Sequence, residues 1–224
     1  MARMHYLREN KKLVYIALSL PLFFFYLDTI IVSFLKNYYV KKSVVYEVLE
    51  HATPFMNFIS HGSTQIGFVL LLYLAGKFSN QKFCSAGKAL LIGIISSGVV
   101  VQILKHLIGR VRPRITENLV LAGPSFKSGY DSFPSGHTAV AFCLAYTLAS
   151  YFPRYKVVFY FVAVMIGLER IEGLAHFPSD VLAAGLIGIV IAKLLSVKLF
   201  PSESPSLCDN SGDLRGNLIQ EDRP

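Results

Sequence analysis

Polar and apolar positions in this chain separate into long blocks. From Leu13 to Leu35 run 23 residues whose only formal charge is Asp28. A bilayer core of about 30 Å is crossed by about 20 helical residues, so the block predicts a first membrane span. Arg3, Arg8, Lys11 and Lys12 precede it, as in a secretion signal, but no small-x-small cleavage pattern follows, and it reads as uncleaved. Ala52–Gly76 is also free of formal charge, although Pro54, Gly62 and several polar residues divide it. That division predicts a second span over Ser63–Gly76. Ahead of it, Val44–Ile59 reads as a short amphipathic helix lying at the membrane surface. A third span is expected at Ala89–Leu104, between Lys88 and Lys105, and a fourth at Gly136–Phe152, stopped by Pro153.

The last two apolar cores, Val157–Leu168 and Val181–Ala192, hold 12 residues each, about 18 Å of helix. To cross they must recruit their flanks. Lys193 and Lys198 can snorkel, whereas Glu169, Arg170 and Asp180 are charges held beside lipid, where their cost makes them candidates for function. The expected fold is therefore all-α: a six-transmembrane-helix bundle with a short interfacial amphipathic helix between spans one and two. It fills residues 1–200. The polar stretch 201–224 lacks a periodic apolar face and is expected to be a disordered tail.

Composition agrees with this reading. Hydrophobic residues make up 53% of the 224 and charged residues 16%, against about 25% charged in soluble domains. That is too little charge to coat a globular surface, which excludes a soluble enzyme and a disordered chain. Three cysteines without regular spacing exclude a disulfide framework. A net charge of +8 would suggest nucleic acid in a soluble protein. Here the bases punctuate apolar runs, so the bilayer and lipid phosphates are the expected partners and nucleic acid is not. Six spans place both termini on one side, which the basic N-terminus and Lys77, Lys82, Lys88, Arg154 and Lys156 assign to the cytoplasm. The opposite face is basic as well, with Lys36, Lys41, Lys42, Lys105, Arg110, Arg112, Arg114, Lys127 and Arg170. That second excess calls for its own explanation.

It lies in three groups at the outward ends of spans three to six: Lys105 to Arg112-Pro113, Pro134-Ser135-Gly136-His137, and Arg170 to His176 and Asp180. Lys105, Arg112 and Arg170 repel one another unless an anion sits among them, and guanidinium forks match phosphate oxygens. Ser135-Gly136 opens a helix, where free N–H groups favour an anion. Together these predict a site for a tetrahedral oxyanion. His176 and Asp180 stand four residues apart, so Asp180 can accept from one ring nitrogen and leave the other free to attack phosphorus. His137 is then the general acid on the leaving oxygen, and afterwards the base that activates water.

Lys-x6-Arg-Pro, Pro-Ser-Gly-His and Arg-x5-His-x3-Asp, in that order, resemble the motifs of the type-2 phosphatidic acid phosphatase superfamily, which includes membrane lipid phosphatases and is related to vanadium haloperoxidases. The motifs lie within Lys105–Asp180, and the six-span layout extends the likeness to about Leu13–Leu199. The resemblance implies phosphate binding by Lys105, Arg112 and Arg170, with Ser135 and Gly136 as backbone donors. It also implies His137 as acid, His176 as nucleophile, Asp180 as its partner, a phosphohistidine intermediate, and no metal or other cofactor. The chain departs from the pattern at Glu169, where the family usually has Ser. An acid there either weakens phosphate binding or pairs with Arg170.

Each motif alone has a plainer reading: Ser135 as a helix N-cap, Arg112-Pro113 as an interfacial loop, His176–Asp180 as a structural hydrogen bond. Their order on one face of six spans favours the site. Outside it, Asp28 either reaches the site or pairs with a neighbouring helix. His106 reads as packing, His51 and His61 as interfacial. Arg110, Arg114 and Lys127 read as solvated loop charge or secondary headgroup contacts. Cys84, Cys143 and Cys208 are expected unpaired. The leading function is an integral-membrane phosphatase of lipid phosphomonoesters or pyrophosphates, among them lipid A, polyprenyl diphosphate, phosphatidate and phosphatidylglycerol phosphate. Its expected place is a bacterial inner membrane, with the site on the outer face. A lipid phosphotransferase using the same intermediate is the alternative, and a lipid or anion transporter is the alternative of another class.

Overall fold

A computed structural model of the chain describes residues 15, 19–20, 22–40, 54–55, 58–59, 61–79 and 81–198. Its described residues are helical apart from loops and one isolated bridge between Arg110 and Leu121. A π-helical turn, Phe23–Leu27, leads into α1 (Asp28–Val40). Then follow α2 (Gly62–Ser79), α3 (Gln81–Ile108), α4 (Gly136–Tyr151), α5 (Lys156–Glu172) and α6 (Pro178–Lys198). A single 3-10 turn, Pro153–Tyr155, joins α4 to α5. The start of the first predicted span, most of the Val44–Ile59 surface helix, Cys208 and the 201–224 tail lie outside the described residues.

Apolar blocks set the helix positions, and the flanks set their lengths. The cores Val157–Leu168 and Val181–Ala192 grow into helices of 17 and 21 residues, about 26 and 32 Å long. Glu169 and Arg170 are therefore inside the last turns of α5, and Asp180 is in the first turn of α6. α3 likewise runs beyond Ala89–Leu104 at both ends, to 28 residues. Among the described residues, Lys82–Ile108 and Pro178–Ser196 are long and apolar enough to cross a membrane. Large apolar side chains such as Phe68, Leu71, Ile95, Val99, Val157 and Phe161 face outward, as expected of a surface wetted by lipid.

α4 is the central helix. Apart from Leu144 its buried positions are small or polar (Thr138, Ala139, Ala141, Cys143, Ala145 and Thr147), which lets neighbours approach closely. It meets α3 and α6 through Val101, Ala139 and Ala184, α2 and α3 through Val69, Leu90 and Leu144, and α5 through Ala163 and Ile166. The α4–α6 contact is tightest at Gly188, where a Cβ would lie 2.1 Å from the Ala139 carbonyl oxygen.

The connection from α3 to α4, Gly109–Ser135, carries Arg112-Pro113 of the first motif and Pro134-Ser135 of the second. Loops of this length without secondary structure are commonly functional, and this one is tied down. Val111 N donates to Val120 O (3.0 Å), Arg112 N to Gly129 O (2.9 Å), Ser132 N to Arg110 O (3.0 Å) and Arg114 N to Leu174 O (3.2 Å). Gly109 enters it at φ +58°, with Gly123 O only 1.9 Å from where a Cβ would stand. Glu117 fastens the loop to α1: Ser33 Oγ donates to its carboxylate (2.5 Å), Lys36 pairs with it (3.4 Å), and Thr29 Oγ1 donates to its carbonyl (3.2 Å).

Candidate active site

The last turn of α3 and the loop after it place two of the predicted cations on one carboxylate. Arg112 donates to Asp131 from Nε (2.9 Å) and Nη2 (2.6 Å), and Lys105 Nζ lies 3.8 Å from the same group. Partial burial works against the ionised Asp131. Hydrogen bonds and charge from Arg112, then the charge of Lys105, overcome it and hold its pKa below the usual 3.8. A carboxylate thus stands where a phosphate would bridge the two cations. Asp131, the single acid between Glu117 and Glu169, went unread in the sequence. Its isolation among cations was the available signal.

His176 sits in the turn before α6 and is 3% exposed. Its Nδ1 lies 2.6 Å from the Ser132 carbonyl oxygen and 3.8 Å from Asp180 Oδ2. A carbonyl only accepts, so Nδ1 carries the proton and the Nε2 lone pair is free. The expected hydrogen bond from the ring to Asp180 is therefore replaced by one to the backbone, with Asp180 behind it. Asp180 Oδ2 accepts instead from Ser132 Oγ (2.6 Å) and Phe177 N (2.9 Å). Burial is the largest influence on His176 and draws its pKa below 6.5, against the opposing pull of Asp180. The ring is neutral at neutral pH.

Arg110 overturns its reading as solvated loop charge, being fully buried. Its guanidinium lies between the rings of Phe177 and Phe24, 4.0 and 4.6 Å from their centroids. It donates to Asp180 Oδ1 (2.5 Å), Ser179 Oγ (2.7 Å) and Asp28 Oδ2 (2.7 Å). Asp28 pairs with a polar group of a neighbouring helix, accepting from Ser179 N and Oγ at the start of α6, and through Ser179 and Arg110 it stands behind His176. His106 packs as expected, its ring 4.4 Å from that of Phe126 and its Nδ1 3.0 Å from Ser125 O.

The remaining motif residues come from the start of α4 and the end of α5. Ser135 is the N-cap of α4 but makes no side-chain cap, and its Oγ bonds Thr138 Oγ1 at 2.8 Å. Its backbone N–H turns inward to the Asp180 carbonyl (3.4 Å), so the expected donation from Ser135 to an anion is not how this N–H is used. Gly136 and His137 follow in the first turn. His137 is within electrostatic reach of Arg170, His176 and Lys105. Arg170 pairs with Glu169 through Nε and through Nη2 (2.5 Å), the pairing outcome of the two expected for that acid. The Arg170 carbonyl also accepts from Ala175 N and His176 N, both at 3.1 Å, which sets the turn that presents the imidazole. Among the described residues Cys84 and Cys143 form no disulfide.

With this geometry in hand, the likeness to known proteins is specific. The chain is 34% identical over 134 residues to a lipid A 1-phosphatase of Rhizobium johnstonii, an overlap of 58% of this chain and 55% of that protein. It is 30% identical over 155 residues to phosphatidylglycerophosphatase B of Bacillus subtilis, covering 62% and 72%. It spans about half the length of the rhizobial relatives it matches. Its fold resembles the crystal structure of a transmembrane PAP2-type phosphatidylglycerolphosphate phosphatase from Bacillus subtilis, with a TM-score of 0.63 at 20% identity over 83% of this chain and 94% of that one. It also resembles that of LpxE from Aquifex aeolicus, with a TM-score of 0.52 at 27% identity over 68% and 86%. The sequence profile of the PAP2 superfamily matches residues 86–202, which takes in all three motifs, and the chain belongs to that superfamily.

Proposed function

We propose that this protein is an integral-membrane lipid phosphatase that works through a phosphohistidine. Lys105, Arg112 and Arg170, with N–H groups at the start of α4, hold the phosphate. The Nε2 lone pair of His176 forms the N–P bond. The P–O bond breaks with its electron pair going to the lipid oxygen, which takes a proton from His137. Water, deprotonated by His137, then attacks phosphorus and returns the pair to Nε2, releasing phosphate. The observation that carries this reading is the Nδ1–H bond of buried His176 to the Ser132 carbonyl (2.6 Å). It leaves a neutral nucleophile beside a cationic cradle.

The reading includes six spans and a short surface helix between the first and the second. It places the site on the outer face of a bacterial inner membrane. A headgroup site at helix ends suits a substrate whose tail stays in the bilayer, and it suits chemistry better than transport through the midplane. Relatives named for lipid A and phosphatidylglycerophosphate favour those phosphates among the candidates. The test is phosphate release by purified protein across lipid A, phosphatidylglycerol phosphate, phosphatidate and polyprenyl diphosphate, with His176→Ala beside it. Release from at least one lipid, abolished in the variant along with the acid-labile phosphoenzyme, is expected. A variant that still forms phosphoenzyme would remove His176 as nucleophile.

A further inference from the structure

Two charges that this chemistry does not use are almost completely buried: Asp28, 1% exposed, and Arg110, 0%. A buried ion pair adds little net stability, because desolvation offsets the attraction, so stability is a poor reason for their presence. Their hydrogen bonds define their charges. Asp28 Oδ1 accepts from Ser179 N (3.0 Å), and its Oδ2 accepts from Ser179 Oγ (2.5 Å) and Arg110 (2.7 Å). Ser179 Oγ accepts from Arg110 (2.7 Å), so its own proton points to Asp28. Asp180 accepts from Arg110 on one oxygen and from Ser132 Oγ and Phe177 N on the other. Both acids face donors, which favours the carboxylate form of each. Two carboxylates and one guanidinium leave one net negative charge behind His176.

That charge has a use. When Nε2 bonds phosphorus and the lipid oxygen leaves with its electron pair and the His137 proton, His176 keeps its Nδ1 proton and the ring becomes cationic. We infer that Asp28 and Arg110 are positioning residues: they clamp the Ser179–Asp180 turn behind His176 and supply the net negative charge that stabilises the phosphorylated ring. The inference rests on the phosphohistidine reading above. Arg110 alone would cancel Asp180, and Asp28 restores the balance. The other charged or titratable groups facing His176 are Asp180 from α6, Lys105 from α3, Arg112 from the loop and His137 from α4.

The test uses full-length protein in nanodiscs with short-chain phosphatidate as donor, comparing Asp28→Asn, Asp28→Glu and the double variant Asp28→Asn/Arg110→Gln. Vanadate binding reports the integrity of the phosphate cradle and is expected within about twofold of wild type in Asp28→Asn, because its ligands lie elsewhere. Phosphoenzyme formation should fall about tenfold or more, by analogy with groups behind metal-binding histidines. Removing a negative charge makes His176 harder to protonate, so the acid limb of kcat/KM should move to lower pH. The double variant again leaves one net negative charge, and its acid limb should return toward wild type. Asp28→Glu should keep the wild-type limb, and it carries the test if Asp28→Asn loses vanadate binding.

An Asp28→Asn protein with the wild-type phosphoenzyme rate and an unmoved limb overturns the inference. So does an equal loss in the single and double variants with no movement of the limb, which marks a mere strut. Neither result touches His176 as nucleophile. Turnover surviving in His176→Ala strikes that reading instead.

Discussion

At the scale of single residues, Asp131 is an internal competitor. Its carboxylate bridges Lys105 and Arg112 as a phosphate would, and its depressed pKa keeps it charged through the neutral range. An arriving anion must displace it. Asp131→Asn should therefore tighten binding of vanadate or inorganic phosphate. The carboxylate is one-third exposed, so the gain is bounded by the about 0.5–1 kcal/mol of a partly solvated pair, or about two- to fivefold. Calorimetric titration with vanadate measures it. Weaker binding in the variant would make Asp131 a support that aims the cations.

The motif residues were legible because their side chains, in that order, have few other joint uses. Arg110 was not. Nothing local distinguishes it from Arg114 four residues on, and its burial depends on Asp28, 82 residues earlier in the chain, and on Phe177 from another turn. Asp28 was noticed as a charge inside an apolar block, but its partner could be found only in space. The Ser132 carbonyl belongs to the backbone, and no residue type announces it.

Among the elements, the apolar cores located the helices but understated them, because helix ends are set by hydrogen bonding and flank recruitment as much as by hydropathy. The α4–α6 contact shows what composition leaves out. Both helices are rich in small residues, yet only Gly188 lies where the backbones nearly touch, with a Cβ 2.1 Å from Ala139 O and 2.9 Å from Cys143 N. Gly188→Ala should force the pair apart at a cost of about 1–3 kcal/mol. It should lower turnover as well, since Ala139 is two residues from His137. Gly98 in α3 meets nothing within 4 Å, so Gly98→Ala should be neutral or gain up to about 1 kcal/mol in helix propensity. Thermal unfolding of the two variants in detergent separates them. Equal melting temperatures would remove close backbone approach as the reason for glycine at 188.

On the scale of the whole molecule, the second excess of cations, at the candidate-site end of the helices, is accounted for by the acids that hold it. The positive-inside tendency describes loops that interact only with lipid and the insertion machinery. Here the outward bases are held by partners: Lys36 by Glu117, Lys105 and Arg112 by Asp131, and Arg110 by Asp28 and Asp180. They are therefore poor reporters of orientation, and the loops away from the site should decide it. Lys127 lies in the Gly109–Ser135 loop and Arg154 in the turn after α4, at opposite ends of that 16-residue helix, about 24 Å apart along its axis. In a Cys208→Ser background, Lys127→Cys should react with a membrane-impermeant maleimide in intact spheroplasts. Arg154→Cys should react only after permeabilisation. Cys84 and Cys143 are buried and should stay silent. The reversed pattern, Arg154→Cys reacting from outside and Lys127→Cys only after permeabilisation, would turn the phosphate site inward, where it could not serve lipid phosphates of the outer leaflet; reaction of both from one side would remove α4 as a span.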